Sequence, residues 1–445
     1  FLPPLPNPPP NGGREEARSA SGGGVSSSAD FLSTYKPQPI NFIRRDFNHP
    51  LYILFSSGST GKPKCFVHST GGVMIKHMAE QQLNCDIREN DRLFYHATPS
   101  WMMWNWLASG LASGATILMY DGNPAHPDIY AQWQFTSDHA ATHHGTAAPV
   151  ILSWAGAQAR IAEKFDLSPL RAVMSTGAVL PAQGFEYIHA HVKKDIKISS
   201  ISGGTDIVGC FLGGNPFTPT YAGQVNGPML GMDLDIWDED GKPLHEDTAG
   251  ELVCKNAFPS MPLRFMNDDM GEKYTAEYFS FYEGQRVWRH GDSIERTAEG
   301  QFVIVGRSDA TLKQNGVRIG PVAIYDQLTP FAAQIREAAA IDFTRPDNKQ
   351  SLTVLFLALH DNESEVPADL QAAIRKAVKD NVTPYAIPTE IIAVPGVLKT
   401  PNGKTAEVVI KKILSGKPVP NPSLYREELV KMFEGIGSLL IEKYK

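Results

Sequence analysis

Residues 55–64, Phe-Ser-Ser-Gly-Ser-Thr-Gly-Lys-Pro-Lys, bring together the residue types that bind a polyphosphate. Gly58 and Gly61 let the backbone bend so that its N–H groups converge on an anion. Ser56, Ser57, Ser59 and Thr60 add hydroxyl donors, and Lys62 and Lys64 add positive charge. One lysine about 4 Å from a phosphate charge supplies roughly 4 kcal/mol of Coulomb energy at an effective dielectric of about 20, before desolvation. The spacing excludes a Walker A loop. Only Ser59 and Thr60 separate the two glycines, and Pro63 stands where that motif has its magnesium-binding hydroxyl. A P-loop kinase or ATPase is therefore disfavoured. Taken alone, the run also fits a Ser- and Gly-rich surface turn.

The framework around the loop favours the binding reading. Leu51-Tyr52-Ile53-Leu54-Phe55 reads as a buried strand that feeds it. Downstream, strand patterns at 115–120, 170–174, 196–201 and 250–254 alternate with helical patterns at 71–83, 149–164 and 182–193. This predicts an α/β core with a β-rich part near 205–305. After Arg307 the pattern changes to strands at 335–343, 351–359 and 389–394 with a helix at 368–378, a compact α+β module. The expected division is a lead-in over 1–46, a large domain over 47–308 and a small domain over 309–445. No internal repeat is present.

Bulk properties narrow the class. A chain of 445 residues has room for two or three cores, and 42% hydrophobic with 20% charged residues is a globular composition. The net charge of −7 gives no support to nucleic-acid binding. Cys65, Cys85, Cys210 and Cys254 are far apart and form no CxxC pair, which argues against a zinc site or disulfide framework and fits a reducing, cytoplasmic setting. No basic-then-apolar leader opens the chain. The most membrane-like window, 93–120, contains His96 and Asn105 and is expected to be buried core, not a span. Residues 1–30 are rich in Pro, Gly and Ser and are expected to be disordered. The first residue is Phe1, which suggests a processed or incomplete product.

Further motifs follow the loop in order. They are Ser175-Thr176-Gly177-Ala178, Ser202-Gly203-Gly204-Thr205-Asp206, Gly250-Glu251-Leu252 and Trp288-Arg289-His290-Gly291-Asp292. Gly306-Arg307-Ser308-Asp309, Asn315-Gly316-Val317-Arg318 and Lys399-Thr400-Pro401-Asn402-Gly403-Lys404 complete the series. Together these resemble the core motifs of the adenylate-forming superfamily, the acyl-CoA synthetases and their relatives, over about residues 47–415. The Trp-rich segment 101–106, together with residues 200–206, 288–292, 306–309 and 315–318, makes the chain similar to the members that act on acetoacetate.

The resemblance implies a fold and a reaction. The fold is a large α/β domain with a β-rich subdomain and a small, mobile α+β C-terminal domain. The reaction consumes ATP, Mg²⁺, coenzyme A and a small carboxylic acid. The carboxylate attacks the α-phosphate, pyrophosphate leaves, and the thiol of coenzyme A displaces AMP from the acyl-adenylate. Residues 56–64 would hold the β- and γ-phosphates, Thr205 the α-phosphate, and Asp206 the magnesium ion, although relatives more often carry Glu there. Gly177 and Ala178 would pack on adenine, Asp292 would accept both ribose hydroxyls, and Arg307 and Arg318 would lie near ribose and phosphates. Gly203 and Gly204 belong to the same nucleotide-binding set, and Asn315 and Gly316 to the loop near coenzyme A. Asp309 would be the hinge, and Lys404 the lysine that the small domain inserts for adenylation. Acetyl-CoA synthetases carry Trp at the Gly203 position, so glycine there implies room for an acid larger than acetate, such as acetoacetate or butyrate. Trp101 to Trp106 would line that pocket, although ordinary core packing explains them equally well.

Two departures stand out. Relatives carry a domain-sized segment before the phosphate loop, where this chain has some fifty residues; its absence should leave apolar faces uncovered. Relatives also usually carry Glu at the position of Ala323. An N-terminally truncated and inactive fragment, a ligase for another short or medium acid, and an enzyme that loads a carrier protein are the alternative expectations.

Overall fold

Alternation along the chain becomes a layered α/β arrangement in the computed structural model. It describes residues 33, 36, 38–39, 41–56, 64–310, 312–314, 317–347, 350–361, 363–400, 405–419 and 422–445, with the backbone alone at 313, 314, 317 and 318. Residues 46–445 group into one compact unit. Strands β1 (Pro50–Ser56) and β2 (Lys64–Ser69) pair antiparallel, with Ile53 opposite Val67 and Ser56 opposite Lys64. Ser69 then caps the helix Thr70–Met78, its hydroxyl accepting the Gly72 N–H at 3.1 Å. The helix widens into a π-helical turn, Ala79–Asn84, and the two place Lys76, His77 and Glu80 in the interior.

A parallel sheet follows, made of β3 (Arg92–Tyr95), β4 (Thr116–Leu118), β5 (His143–Ala147), β6 (Ala172–Thr176) and β7 (Lys197–Ser200). Its order is β4-β3-β5-β6-β7. The chain reverses its direction of travel across the sheet between β3 and β5, and such a switch point opens a crevice at the carboxyl ends of the strands. Helices Ala131–Asp138, Ala148–Gly156 and Ala182–His191 connect the strands. The helix expected over 149–164 stops at Gly156, and Gln158 turns the chain in a left-handed conformation, φ 50°.

The β-rich part begins with β8 (Ser202–Gly204), β9 (Gly209–Gly213) and β10 (Gly227–Pro228) in a small antiparallel sheet. Next come β11 (Leu234–Trp237), β12 (Gly250–Cys254), β13 (Arg264–Phe265), β14 (Trp288–Arg296) and β15 (Phe302–Arg307). Strand β13 extends the hairpin beside β2, and the other four form a sheet ordered β11-β12-β14-β15.

After a short hairpin, β16 (Leu312–Gln314) with β17 (Val317–Ile319), the chain forms a mixed sheet of β18 (Ile335–Thr344), β19 (Ser351–Leu359) and β20 (Glu390–Ala393). Strand β19 shows why its sequence is apolar throughout. Leu355, Leu357 and Leu359 pack with Leu370, Ile374 and Val378 of the helix Ala368–Asn381 on one face. Val354 and Phe356 pack with Val409, Ile410 and Phe433 of the helices Glu407–Leu414 and Glu427–Lys443 on the other. Period-2 alternation puts neighbours on opposite faces, and both are covered. Among the described residues, no buried apolar cluster mixes residues before 305 with residues after 311. No described helix is long and apolar enough to cross a membrane.

Candidate active site

Segments far apart in sequence converge around β2 and the turn that leaves β8. Thr205 and Asp206 form the turn that leaves β8. His68 Nε2, on β2, bonds the Thr205 carbonyl at 2.9 Å. Lys64, at the start of β2, pairs with Glu277 at 2.5 Å and lies 5.4 Å from the centre of the Tyr278 ring. Tyr278 ends the helix Glu272–Tyr278, stacks on Trp288 with ring centres 3.8 Å apart, and donates its hydroxyl to Asp206 Oδ1. Strand β14 carries His290 and Asp292 toward the same place, with Asp292 in register with Arg307 of β15. Arg307 reaches Asp292 at 3.1 Å and Asp309 at 3.6 Å, while His290 Nε2 is 3.6 Å from the other Asp292 oxygen. Gly291 makes this possible. Its φ is 86°, and a Cβ there would lie 2.7 Å from the Arg307 guanidinium.

The cluster interleaves the cations Lys64 and Arg307 with the carboxylates of Glu277, Asp206, Asp292 and Asp309. Burial pushes the Asp206 carboxyl up, but His290, Lys64, the Tyr278 hydroxyl and Arg307 together outweigh it and hold the group below its ordinary value. Asp206 is therefore ionised at neutral pH. Burial, together with the Asp206 charge, drives the Tyr278 hydroxyl far upward, so it remains a donor. Burial lowers the His68 ring to about 4. The neutral ring donates from Nε2, since a carbonyl can only accept.

Beside the cluster lies a cavity of about 350 Å³ walled by Ile53, Leu54 and Phe55 of β1, by Pro99, Ser100, Trp101 and Met102, and by Thr205. Trp101 and Met102 thus face a space, whereas Trp106 is fully buried and donates to Glu80 at 2.8 Å. The Trp-rich segment divides between pocket and core. Gly177 follows β6 with a φ of 84°, and a Cβ on it would sit 3.5 Å from Trp101. Ala178, next to it, is exposed.

Several expected site residues lie elsewhere or outside the described residues. Ser56 and Lys64 close the hairpin, but Ser57, Gly58, Ser59, Thr60, Gly61 and Lys62 lie outside them, as do Asn315, Gly316 and Lys404. Arg318 is on β17, described by its backbone. Asp309 sits in the turn after β15 beside Arg307. Gly204 faces Asp206 and His290, whose atoms would lie 2.9 and 3.5 Å from a Cβ. Gly203 has a packing role of its own. A Cβ there would fall 2.0 Å from the Gly209 carbonyl oxygen and 2.5 Å from Cys210 Cα, so the close approach of β8 to β9 requires this glycine. Gly203 is not among the residues that line the cavity.

Tyr278, Glu277 and His68 were not foreseen. Tyr278 and Glu277 sit in a short helix with no motif spacing, and His68 reads as one polar residue in a buried strand. His290 stands two residues before Asp292 in the Trp-Arg-His-Gly-Asp motif.

Comparison with known proteins gives the family. Residues 14–261 match the family model described as AMP-binding enzyme, and residues 332–404 match that of the AMP-binding enzyme C-terminal domain. The chain is 43% identical over 418 residues to the acetoacetyl-coenzyme A synthetase of Rhizobium meliloti (strain 1021), covering 94% of this chain and 63% of that protein. It is 37% identical over 416 residues to the acetoacetyl-CoA synthetase of Gallus gallus, covering 92% and 61%. The solved acetoacetyl-CoA synthetase from Streptomyces lividans superposes with a TM-score of 0.84 at 38% identity, covering 92% of this chain and 62% of that one. The chain thus spans about three fifths of the length of these relatives.

Proposed function

This chain belongs to the family of AMP-binding enzymes, and on that premise we propose that it joins acetoacetate to coenzyme A at the expense of ATP, through an acyl-adenylate. The observation that carries the reading is the pairing of Thr205, which lines the cavity, with an ionised Asp206 set among Lys64, His290 and Arg307. The similarity to acetoacetyl-CoA synthetases of three sources supports the choice of acid.

In the first half-reaction an acetoacetate carboxylate oxygen bonds to the α-phosphorus and the bond to pyrophosphate breaks. Charge accumulates on phosphoryl oxygens, so fixed donors and cations supply the catalysis. Residues 56–64 hold the β- and γ-phosphates, with Lys64 exchanging Glu277 for phosphate. The Thr205 hydroxyl holds the α-phosphate. Asp292, oriented by Arg307, accepts the ribose hydroxyls, and Gly177 and Ala178 pack on adenine. Residues 309–445 turn about Asp309 to deliver Lys404. In the second half-reaction the coenzyme A sulfur bonds to the acyl carbon and AMP leaves, beside Asn315, Gly316 and Arg318.

Magnesium fits one donor of this site. Asp206 offers an ionised oxygen to a hard cation, and no described group of three or more acidic, His or Cys side chains forms a cage of its own. Such an ion would neutralise charge on the triphosphate when bound with it.

The test is incubation with ATP, Mg²⁺, coenzyme A and acetate, butyrate or acetoacetate in turn. The expected result is AMP and pyrophosphate formed fastest with acetoacetate. Formation of ADP, or equal rates with all three acids, overturns the reading.

A further inference from the structure

We propose that His68 and His77 are positioning residues that hold the Thr205–Asp206 turn in register with the phosphate-loop hairpin; the catalytic meaning of that turn rests on the ligase reading above. The segment from Ser202 to Cys210 is tied to β2 and the helical stretch after it at three places. His68 Nε2 meets the Thr205 carbonyl at 2.9 Å, His77 Nε2 meets the Val208 carbonyl at 2.5 Å, and Glu80 accepts the Cys210 N–H at 2.7 Å. All three side chains are buried. A carbonyl shielded from water needs a donor, and these imidazoles supply one to the part-buried Thr205 oxygen and to the buried Val208 oxygen. His77 is itself aimed by the Ser109 hydroxyl, 2.8 Å from Nδ1.

The turn needs such support. Val208 has a φ of 45°, a left-handed conformation that a β-branched residue adopts at a cost and only where its surroundings impose it. The turn's own backbone bonds are long, with Ile207 N to Gly204 O and Val208 N to Thr205 O both at 3.3 Å. The Thr205 carbonyl belongs to the planar peptide unit that carries the Asp206 amide. Holding that oxygen therefore restricts the Asp206 backbone, leaving its own φ to set the direction in which the side chain leaves. His68 lies four residues beyond Lys64 on one strand, so β2 governs a phosphate-facing lysine at one end and the Asp206 turn at the other.

The experiment compares His68→Leu, His68→Gln, His77→Leu and His77→Gln with the unaltered chain. Glutamine retains an N–H donor near the Nε2 position; leucine does not. Two readouts are taken: amide hydrogen exchange over 202–210 and 351–359, and kcat and KM for acetoacetate-dependent ATP–pyrophosphate exchange. Each leucine variant should speed exchange over 202–210 by about ten-fold, the loss of roughly one hydrogen bond, and leave 351–359 unchanged. It should lower kcat with KM for acetoacetate nearly constant, and glutamine should restore most of both. Leucine and glutamine behaving alike, or exchange rising equally in both segments, overturns the proposal. If a leucine variant does not fold, asparagine replaces it. Its amide falls one methylene short, so it must loosen 202–210 more than glutamine does, and equal behaviour again overturns the proposal. An unaltered chain without pyrophosphate exchange sinks the ligase reading, while the hydrogen-exchange arm still decides the clamp.

Discussion

Strands β1 and β19 read alike in sequence, Pro-Leu-Tyr-Ile-Leu-Phe-Ser and Ser-Leu-Thr-Val-Leu-Phe-Leu-Ala-Leu, yet they stand in opposite surroundings. Strand β1 is the edge of a three-stranded sheet. Tyr52 and Leu54 turn to the core, while Leu51, Ile53 and Phe55 are 39%, 49% and 66% exposed. Strand β19 is the middle of its sheet, and helices cover both faces. An apolar run reports that a strand could be buried on two sides, not that neighbours are there to bury it. The contrast extends to the regions around them. The part that carries the candidate site buries most of the polar and titratable groups, whereas the core of the C-terminal module is apolar, with Asp342 and Thr353 its buried polar side chains among the described residues.

Four outcomes would break or sharpen this contrast. The largest concerns acid. Burial holds His68, His143 and His144 down to about 4, about 4 and about 3. Above pH 6.5 each ring is neutral folded or unfolded and contributes nothing. Between pH 6.5 and about 4 the unfolded chain takes up protons that the folded chain refuses, so stability falls as pH falls. The loss is about 1.4 kcal/mol per pH unit per ring, or about 2 kcal/mol each by pH 5. Hydrogen exchange at pH 7.5 and pH 5 should show β2 and β5 loosening while β19 does not; equal loosening would erase the contrast. Next, Phe356→Ala should cost about 3–5 kcal/mol in a urea unfolding curve, because it empties a fully buried ring site of the module. Lys404→Ala should leave that curve in place and slow adenylation by about 10²–10³, the usual cost of one transition-state donor, with thioester formation from supplied acyl-AMP much less affected. Equal loss in both half-reactions would refute the role given to this lysine. Smallest, Leu51→Thr should shift stability by no more than about 0.5 kcal/mol, since the side chain is largely outside the core. A loss near that of Phe356→Ala would show the face of β1 to be covered in solution.

Regular elements with strong periodicity were legible, including β1, β6, β7, β12, β18, β19 and the helix Ala368–Asn381. Strand β5 was not. Its sequence, His-His-Gly-Thr-Ala, carries no apolar signal, yet His143 and His144 are buried, the latter stacked on Trp133 with ring centres 4.1 Å apart. Such burial depends on partners that only the tertiary fold supplies. The site was legible to the extent that motif order carried it: Thr205, Asp206, Asp292 and Arg307 do lie in one neighbourhood. Tyr278 and His68 were not legible, because a hydrogen bond across more than seventy residues leaves no local pattern. The packing role of Gly203 was not legible, for a related reason. Its missing side chain is explained by the backbone of β9, which a sequence comparison at one position does not reveal.

The central claim is that the cleft beside Asp206 makes an acyl-adenylate. Exchange of labelled pyrophosphate into ATP, followed without coenzyme A, isolates that step. The account predicts exchange that requires both Mg²⁺ and acetoacetate and is abolished by Asp206→Ala. Exchange that proceeds without any acid, or that survives loss of the Asp206 carboxylate undiminished, would contradict it.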